Sequence, residues 1–155
     1  MSAAALINGE QPPAAGEQPT NAGDEAAAAA PGMGEAWAAF GDGRGPWWLT
    51  LLKPGFRHCF VVLGDARRWV VIDPASCFTD VAALDRAEHP DLPHRLRAQG
   101  FTVIPAPLRR QAVPPAPWRP FTCVEAVKRV LGLDAPDVFT PWGLYRHLKG
   151  IHSYE

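Results

Sequence analysis

The chain lacks the sequence features that identify membrane proteins, secreted proteins and metal scaffolds. It has 155 residues, and no apolar run approaches the roughly 18 residues of a membrane span. No basic segment precedes an apolar one, so we expect no secretory signal and a cytoplasmic location. The three cysteines are widely spaced and form no Cys-x-x-Cys pair, which argues against a disulfide framework and against a zinc ribbon.

Lysine and arginine are absent before Arg44, so the first 43 residues carry acidic charge only. This segment holds six of the 16 acidic residues and consists mainly of Ala, Gly, Pro, Glu and Gln. Few large apolar side chains are available there to offset the conformational entropy lost on ordering. We therefore predict a disordered acidic tail over residues 1–43, followed by a single domain with its own hydrophobic core over residues 46–155.

Residues 46–155 contain apolar runs separated by turn signals, a pattern typical of a mixed α and β domain. Strands are predicted over residues 56–63, 68–73 and 101–104, the first two forming a hairpin around a Gly-containing loop. Helical segments are predicted over residues 80–88, 93–98, 122–131 and 141–149, with a proline-rich connection over 105–120. The predicted fold class is α+β, a small antiparallel sheet packed against the helix that carries Cys123.

Cys123 lies at the start of the clearest predicted helix. Thr122 and Glu125 have the Thr-x-x-Glu spacing of a capping box, which makes Cys123 the first residue inside the helix. Free N–H groups and the helix dipole favour a thiolate at such a position. The alternative is that Cys123 is a small core residue, on one helix face with Val127 and Val130.

His58 and Asp73 give the thiol a possible base and a residue that orients that base. If Leu63 and Arg68 close the hairpin loop, His58 lies directly opposite Asp73, with Cβ atoms roughly 4.5–5.5 Å apart. A carboxylate in that position fixes the histidine tautomer and stabilises the imidazolium. Cys59 points to the other face of the strand and is interpreted as a core thiol. The alternative for the His–Asp pair is a purely structural role.

The order of these residues in the chain resembles that of a known group of hydrolases. The segments RHCFVV, WVVIDP and FTCVEAVKRVL place a histidine on an early strand, a polar residue on the next strand and a cysteine at the start of a later helix. This order, over residues 46–132, is similar to that of the circularly permuted NlpC-like, papain-fold hydrolases, which include relatives of lecithin:retinol acyltransferase. The resemblance implies Cys123 as nucleophile, His58 as base and Asp73 as the third polar residue.

The function expected from this resemblance is a thiol amidase or peptidase that uses a Cys–His–Asp triad and no metal or cofactor. Candidate substrates are peptide-type amides, including peptidoglycan cross-links, with Trp118 as a wall facing the substrate or as a core residue. Cys77 is interpreted as inert, and the scattered basic pairs do not indicate nucleic-acid binding. The alternative is a catalytically inert papain-like binding or structural module, for example in a phage particle, with the acidic tail as a tether.

Overall fold

The computed structural model describes residues 34–43, 47–75, 78–109 and 120–152. In these ranges the chain forms a five-stranded antiparallel sheet, three α-helices and a 3₁₀ segment over Trp47–Leu51, so the α+β class is confirmed. The strands are β1 (Glu35–Gly41), β2 (His58–Gly64), β3 (Arg68–Pro74), β4 (Thr79–Asp85) and β5 (Thr102–Pro105). The helices are α1 (Leu92–Ala98), α2 (Cys123–Leu131) and α3 (Pro141–His152).

Strand β1 corrects the predicted boundary of the acidic tail. The strands are arranged in the order β4-β3-β2-β1-β5, so β1 lies inside the sheet and pairs with β2 on one side and β5 on the other. Ala38, Ala39 and Phe40 are fully buried there. The prediction that residues 34–43 belong to a disordered tail is therefore wrong, because two flanking strands supply the contacts that composition alone could not reveal. Residues 1–33 lie outside the described ranges.

Strand β4 replaces the helical segment predicted over residues 80–88. Its sequence, TDVAALD, has fair helix propensity, but β4 pairs with β3 from Arg68↔Asp85 to Pro74↔Thr79. The ladder of backbone hydrogen bonds offered by β3 outweighs a weak local preference, since tertiary context routinely overrides helix propensity. The chain then turns over residues 86–88 and enters α1.

The β2–β3 hairpin is present, but its register differs by two residues from the predicted one. Leu63 pairs with Val70 and not with Arg68. The Asp65 N–H donates to the Arg68 carbonyl at 3.0 Å, and the Asp65 carboxylate accepts hydrogen bonds from the backbone N–H groups of Arg67 and Arg68, each at 2.7 Å. These bonds tighten the loop to two central residues, as expected when an aspartate bonds to the backbone just after it.

Both faces of the sheet are covered, and α2 and α3 share one of them. Buried side chains of β1 and β2 pack on that face against α2 and α3, in a cluster that includes Cys59, Val61, Val124, Val127, Leu131, Leu144 and Leu148. The opposite face packs against α1, through Phe60, Val62, Trp69, Val71, Leu92 and Leu96. The predicted packing of the cysteine-bearing helix against the sheet is therefore observed. Within the described ranges, none of the helices has the length and apolarity needed to cross a membrane.

Candidate functional site

His58 and Asp73 are in direct contact. The His58 Nε2–H donates a hydrogen bond to Asp73 Oδ1 at 2.6 Å, a short distance typical of a charge-assisted bond. The His58 side chain is 22% exposed and the Asp73 side chain 9%, so the pair is largely shielded but the imidazole keeps some access to solvent. The His58 ring also lies 6.4 Å from the Phe60 ring, centroid to centroid.

The contact forms although the two residues are not directly opposite each other. Continuing the Val61↔Ile72 register by one position sets Phe60, not His58, against Asp73. The predicted direct pairing is therefore wrong. Because side chains alternate with a period of two, however, a shift of two residues keeps both on one face as diagonal neighbours, within reach of long side chains.

Cys123 is the first residue of α2, as predicted. Thr122 is the N-cap with an extended backbone, and its Oγ1 accepts a hydrogen bond from the Glu125 N–H at 3.3 Å. Gly132, in the left-handed region at φ 66°, ends the helix nine residues later. Val124, the neighbour of Cys123 on α2, is buried in the core, whereas Cys123 itself is half-buried and packs at the edge of that core.

Cys123 lies beside two consecutive residues of β2. It packs against the core cluster that contains Cys59, and its pKa responds to both His58 and Cys59, so the three side chains are close neighbours. Neighbouring residues of a strand, such as His58 and Cys59, point to opposite faces of the sheet. A side chain from another element can therefore lie beside both of them only at the end of the strand. The thiol therefore lies where β2 begins, and His58, Asp73 and Cys123 form one cluster.

The environment of His58 favours the imidazolium. Burial by itself lowers the pKa of His58, but the hydrogen bonds with Asp73 and then with Cys123, together with the charges of both, raise that pKa from 6.5 to about 9. This is the pattern expected for a histidine held between two anionic groups.

The environment of Cys123 favours the thiolate. The hydrogen bond from the Cys59 thiol makes the largest contribution to lowering the pKa of Cys123; burial opposes it, and the hydrogen bond and charge of His58 add to it. The pKa of Cys123 falls from 9.0 to about 5 as a result. Burial, followed by the hydrogen bond with Cys123, raises the pKa of the Cys59 thiol well above 9.0. Both shifts favour a thiolate on Cys123 and an imidazolium on His58, and the raised pKa of Cys59 favours a neutral thiol there.

Gly43 packs closely against His58. A Cβ atom added at Gly43 would lie 2.7 Å from His58 Cβ and 3.2 Å from His58 Cγ. Real Cβ atoms do not approach other carbons so closely, so no other residue fits there unless His58 moves. The loop after β1 thereby limits the positions that the imidazole can take.

A buried ion network fixes the loop that follows α2. Lys128 Nζ donates to the carbonyl oxygens of Ala135 and Val138, both at 3.1 Å, and forms an ion pair with Glu125 at 3.0 Å. Arg129 also pairs with Glu125 at 3.0 Å. The Glu125 carboxylate was expected to serve the helix cap. It instead forms ion pairs with the side chains of Lys128 and Arg129, one turn further along α2. These bonds hold the end of α2 and support its orientation on the sheet.

The other candidate residues, Trp118 and Cys77, both lie outside the described ranges. A shallow, open cavity of about 450 Å³ lies at the hairpin end of β2 and β3, roughly 20 Å along the strands from His58. It is lined by Ala66, Arg67, Asp85, Arg86 and Ala87, none of them a nucleophile, so we do not place the site there. Over the part of the chain that the structure describes, no group of three His, Cys, Asp or Glu side chains could hold a metal ion.

One close neighbour of His58 was not identified from sequence, because Gly43 was assigned to the tail. Cys59, predicted to be a core thiol, is fully buried in the core under α2, as predicted. No sequence signal identified Gly43.

Comparison of the chain with protein-family models, curated protein sequences and solved structures finds no match.

Proposed function

We propose that this chain is a thiol-dependent amidase or peptidase with a circularly permuted papain-like, NlpC-like arrangement. In this proposal Cys123 is the nucleophile, His58 the base and Asp73 the residue that orients His58. The observation that carries the proposal is the His58 ring, which bonds to Asp73 at 2.6 Å and lies close enough to Cys123 for the two side chains to shift each other's pKa. The order of the elements, with β2 and β3 before the cysteine-bearing helix α2, supports the permuted arrangement.

The two ring nitrogens of His58 have separate roles. Since Nε2 is bonded to Asp73, Nδ1 is the nitrogen that remains for the Cys123 sulfur. Asp73 fixes this tautomer and stabilises the positive charge, as the carboxylate does in nucleophile–base–orienter sets. The resting pair of thiolate and imidazolium has already completed the proton transfer that activates the nucleophile.

In the acylation step the Cys123 thiolate attacks the amide carbonyl carbon, and the C=O π electrons move to the oxygen. Backbone N–H groups at the start of α2 are suitably placed to stabilise that oxyanion. The tetrahedral intermediate collapses, the C–N bond breaks, and His58 transfers its proton to the departing amine. A thioester on Cys123 and a neutral imidazole remain.

In the deacylation step the neutral His58 takes a proton from water as the water oxygen attacks the thioester. The C–S bond breaks, the carboxylic acid leaves, and the thiolate–imidazolium pair is restored. Water is the only co-reactant in this cycle. Peptide-type amides are the substrate class that follows from the resemblance, with peptidoglycan cross-links as the first candidates.

Acyl transfer to the thiol is the direct test. The protein is mixed with a p-nitrophenyl ester, and the burst of p-nitrophenol is measured together with the mass of the peptide containing Cys123. We expect a stoichiometric burst and an acyl adduct on that peptide. A Cys123→Ser variant should give no adduct, and His58→Ala should lose the burst. Cys77→Ser is the control and should behave like the unmodified chain.

Peptide substrates and pH then test the class of reaction. Peptidoglycan fragments should release new amino groups, and kcat/KM should follow a bell-shaped pH profile with limbs near the pKa values of about 5 for Cys123 and about 9 for His58. If no acyl donor modifies Cys123 although the thiol titrates as an anion, the amidase proposal is wrong and an inert binding module becomes the better interpretation.

A further inference from the structure

Arg57 is the charged residue that directly precedes the proposed base. Its backbone N–H donates to the Gly41 carbonyl at 3.0 Å, which holds the main chain of Arg57 against the end of β1. The Arg57 side chain is 28% exposed. The backbone of this residue is therefore fixed, while its side chain takes no part in the contact between His58 and Asp73.

The guanidinium group of Arg57 carries hydrogen-bond donors that the protein does not use. Oδ1 of Asp42 lies 3.7 Å from the buried Nε atom, within ion-pair distance but too far for a hydrogen bond. That oxygen accepts its hydrogen bond from the Gly55 N–H instead, at 2.8 Å. Over the part of the chain that the structure describes, no atom accepts a hydrogen bond from this guanidinium. An arginine has five such donors, so the group is suited to an acceptor from outside the chain.

Lys53, the other cation on residues 53–57, is bound within the fold. Its Nζ lies 3.1 Å from the centroid of the Trp142 ring and 5.7 Å from that of the Phe56 ring. The negative face of an aromatic ring stabilises an ammonium group in this position. Arg57, in contrast, has only the loose ion pair with Asp42, whose side chain is 52% exposed, and exposed pairs of this kind contribute little.

The loop after β1 holds the guanidinium beside the proposed triad. Asp42 pairs with Arg57, and the next residue, Gly43, packs against His58. Arg57 and His58 are themselves consecutive, with Cα atoms about 3.8 Å apart. The lengths of the two side chains then keep the guanidinium within roughly 15 Å of the imidazole, the span of about four residues of extended peptide.

We propose that Arg57 is a specificity-determining residue, which binds a free carboxylate that the amide substrate carries within about four residues of the scissile bond. The inference rests on the proposed function, because it takes the amide to be cleaved at Cys123. A guanidinium presents a planar fork of donors that matches the two oxygens of a carboxylate, and such charge-assisted bonds are about twice as strong as neutral ones. Since Nε is buried, the carboxylate binds to the outer Nη groups. Acidic peptide-type amides are therefore the preferred substrates.

A series of p-nitrophenyl esters tests the inference in the parent chain. Each donor is the mono-p-nitrophenyl ester of a straight dicarboxylic acid, from adipic to sebacic acid, and its partner is the same ester with the free carboxylate methylated. We expect the carboxylate form to acylate Cys123 about 10-fold faster at one or two chain lengths. This is the lower end of the effect of a hydrogen bond to a charged group, because the guanidinium is partly exposed. Equal rates at every length, or faster reaction of the methyl esters, would overturn the inference.

Two charge-matched variants assign the effect to one side chain. Arg57→Gln removes the fork, so the two rates of each pair should come within about twofold of each other. Lys53→Gln removes a positive charge from the same segment, and the preference for the carboxylate form should remain at about 10-fold. A preference that survives Arg57→Gln, or an equal loss in both variants, would show a general effect of charge and overturn the role of Arg57.

A binding measurement separates this inference from the hydrolase proposal. Monomethyl adipate should shift the Arg57 Nε–Hε signal of the parent chain in a saturable NMR titration, and dimethyl adipate should leave that signal in place. If the signal shifts but no ester acylates Cys123, the carboxylate site stands and the hydrolase proposal falls. If Cys123 is acylated, and neither the rates nor the signal distinguish a carboxylate from its methyl ester, the hydrolase proposal stands and the role of Arg57 falls.

Discussion

The strongest prediction concerns the reactivity of Cys123 in mildly acidic solution. With a pKa of about 5, the thiol is about 90% ionised at pH 6. An unperturbed thiol with the usual pKa of 9.0 is only about 0.1% ionised there. The site therefore raises the thiolate fraction by a factor of about 900.

Part of this gain is lost because a more acidic thiolate is a weaker nucleophile. For attack on disulfides the rate constant of the thiolate falls by a factor of about 2.5 to 3 for each pH unit of lowered pKa. Over the four units that separate 9.0 from about 5, this loss is about 40- to 100-fold. The net expectation is that Cys123 reacts about 10 to 20 times faster than a free cysteine at pH 6, before any reduction by partial burial.

The assay follows the reaction of a neutral aromatic disulfide with the Cys77→Ser protein between pH 4 and pH 10. Cys123→Ser supplies the background from Cys59, and N-acetylcysteine in the same buffers supplies the reference. Burial scales the absolute rate but leaves the inflection in place, so the inflection is the decisive quantity. We expect it near pH 5. An inflection near pH 9 would refute the thiolate–imidazolium pair and the triad built on it.

Three further changes test the supports of the site. Asp73→Asn should lower the midpoint of the His58 ring protons in an NMR titration by about one to three pH units from about 9, and an unchanged midpoint would show that the carboxylate does not hold the charge. Gly43→Ala forces a methyl group against His58, so we expect the free energy of unfolding in urea to fall by about 1–3 kcal/mol. Gly150→Ala is the control, because no atom lies within 4 Å of the added methyl group, and it should leave the free energy of unfolding unchanged or slightly higher. Equal effects of the two changes would contradict the close packing of Gly43 against His58. Lys128→Met removes the donor that binds the Ala135 and Val138 carbonyl oxygens and the Glu125 carboxylate. We expect the free energy of unfolding in urea to fall by about 3–5 kcal/mol. A decrease below about 1 kcal/mol would contradict a stabilising role of this network.

The elements predictable from sequence were those whose signals are local. The cap at Thr122 and the proline at position 141 define the starts of α2 and α3, and both helices begin where these signals place them. Strands β1 and β4 carry no such signal. The Ala-rich sequences of both acquire strand structure only from their neighbours in the sheet, and a partner strand distant in sequence is not visible in a local pattern.

The same contrast between local signals and contacts distant in sequence applies to the candidate site. The pairing of His58 with Asp73 was predicted in the wrong register, yet the contact is present, because the face of a strand residue depends only on whether the shift is even or odd. Cys59 was placed on the correct face, and its prediction as a core thiol is confirmed by its complete burial. Alternation describes residues within a strand, whereas the Cys123 thiol approaches from another element and reaches both faces at the end of β2.

The position of Cys123 at a helix start, which first suggested reactivity, is too weak a cause for the acidity of the thiol. A helix terminus stabilises a charge by about 0.3–1 kcal/mol at most sites, less than one pH unit. The lowering of the Cys123 pKa from 9.0 to about 5 corresponds to about 5 kcal/mol, so most of it must come from elsewhere. The direct donors, Cys59 first and His58 next, are of the required size, since a hydrogen bond to a charged group contributes about 1.5–3 kcal/mol each. In the proposed mechanism the helix start therefore serves mainly to bring the sulfur to β2 and to present backbone N–H groups to a substrate oxygen, while the residues of β2 account for most of the lowering of the Cys123 pKa.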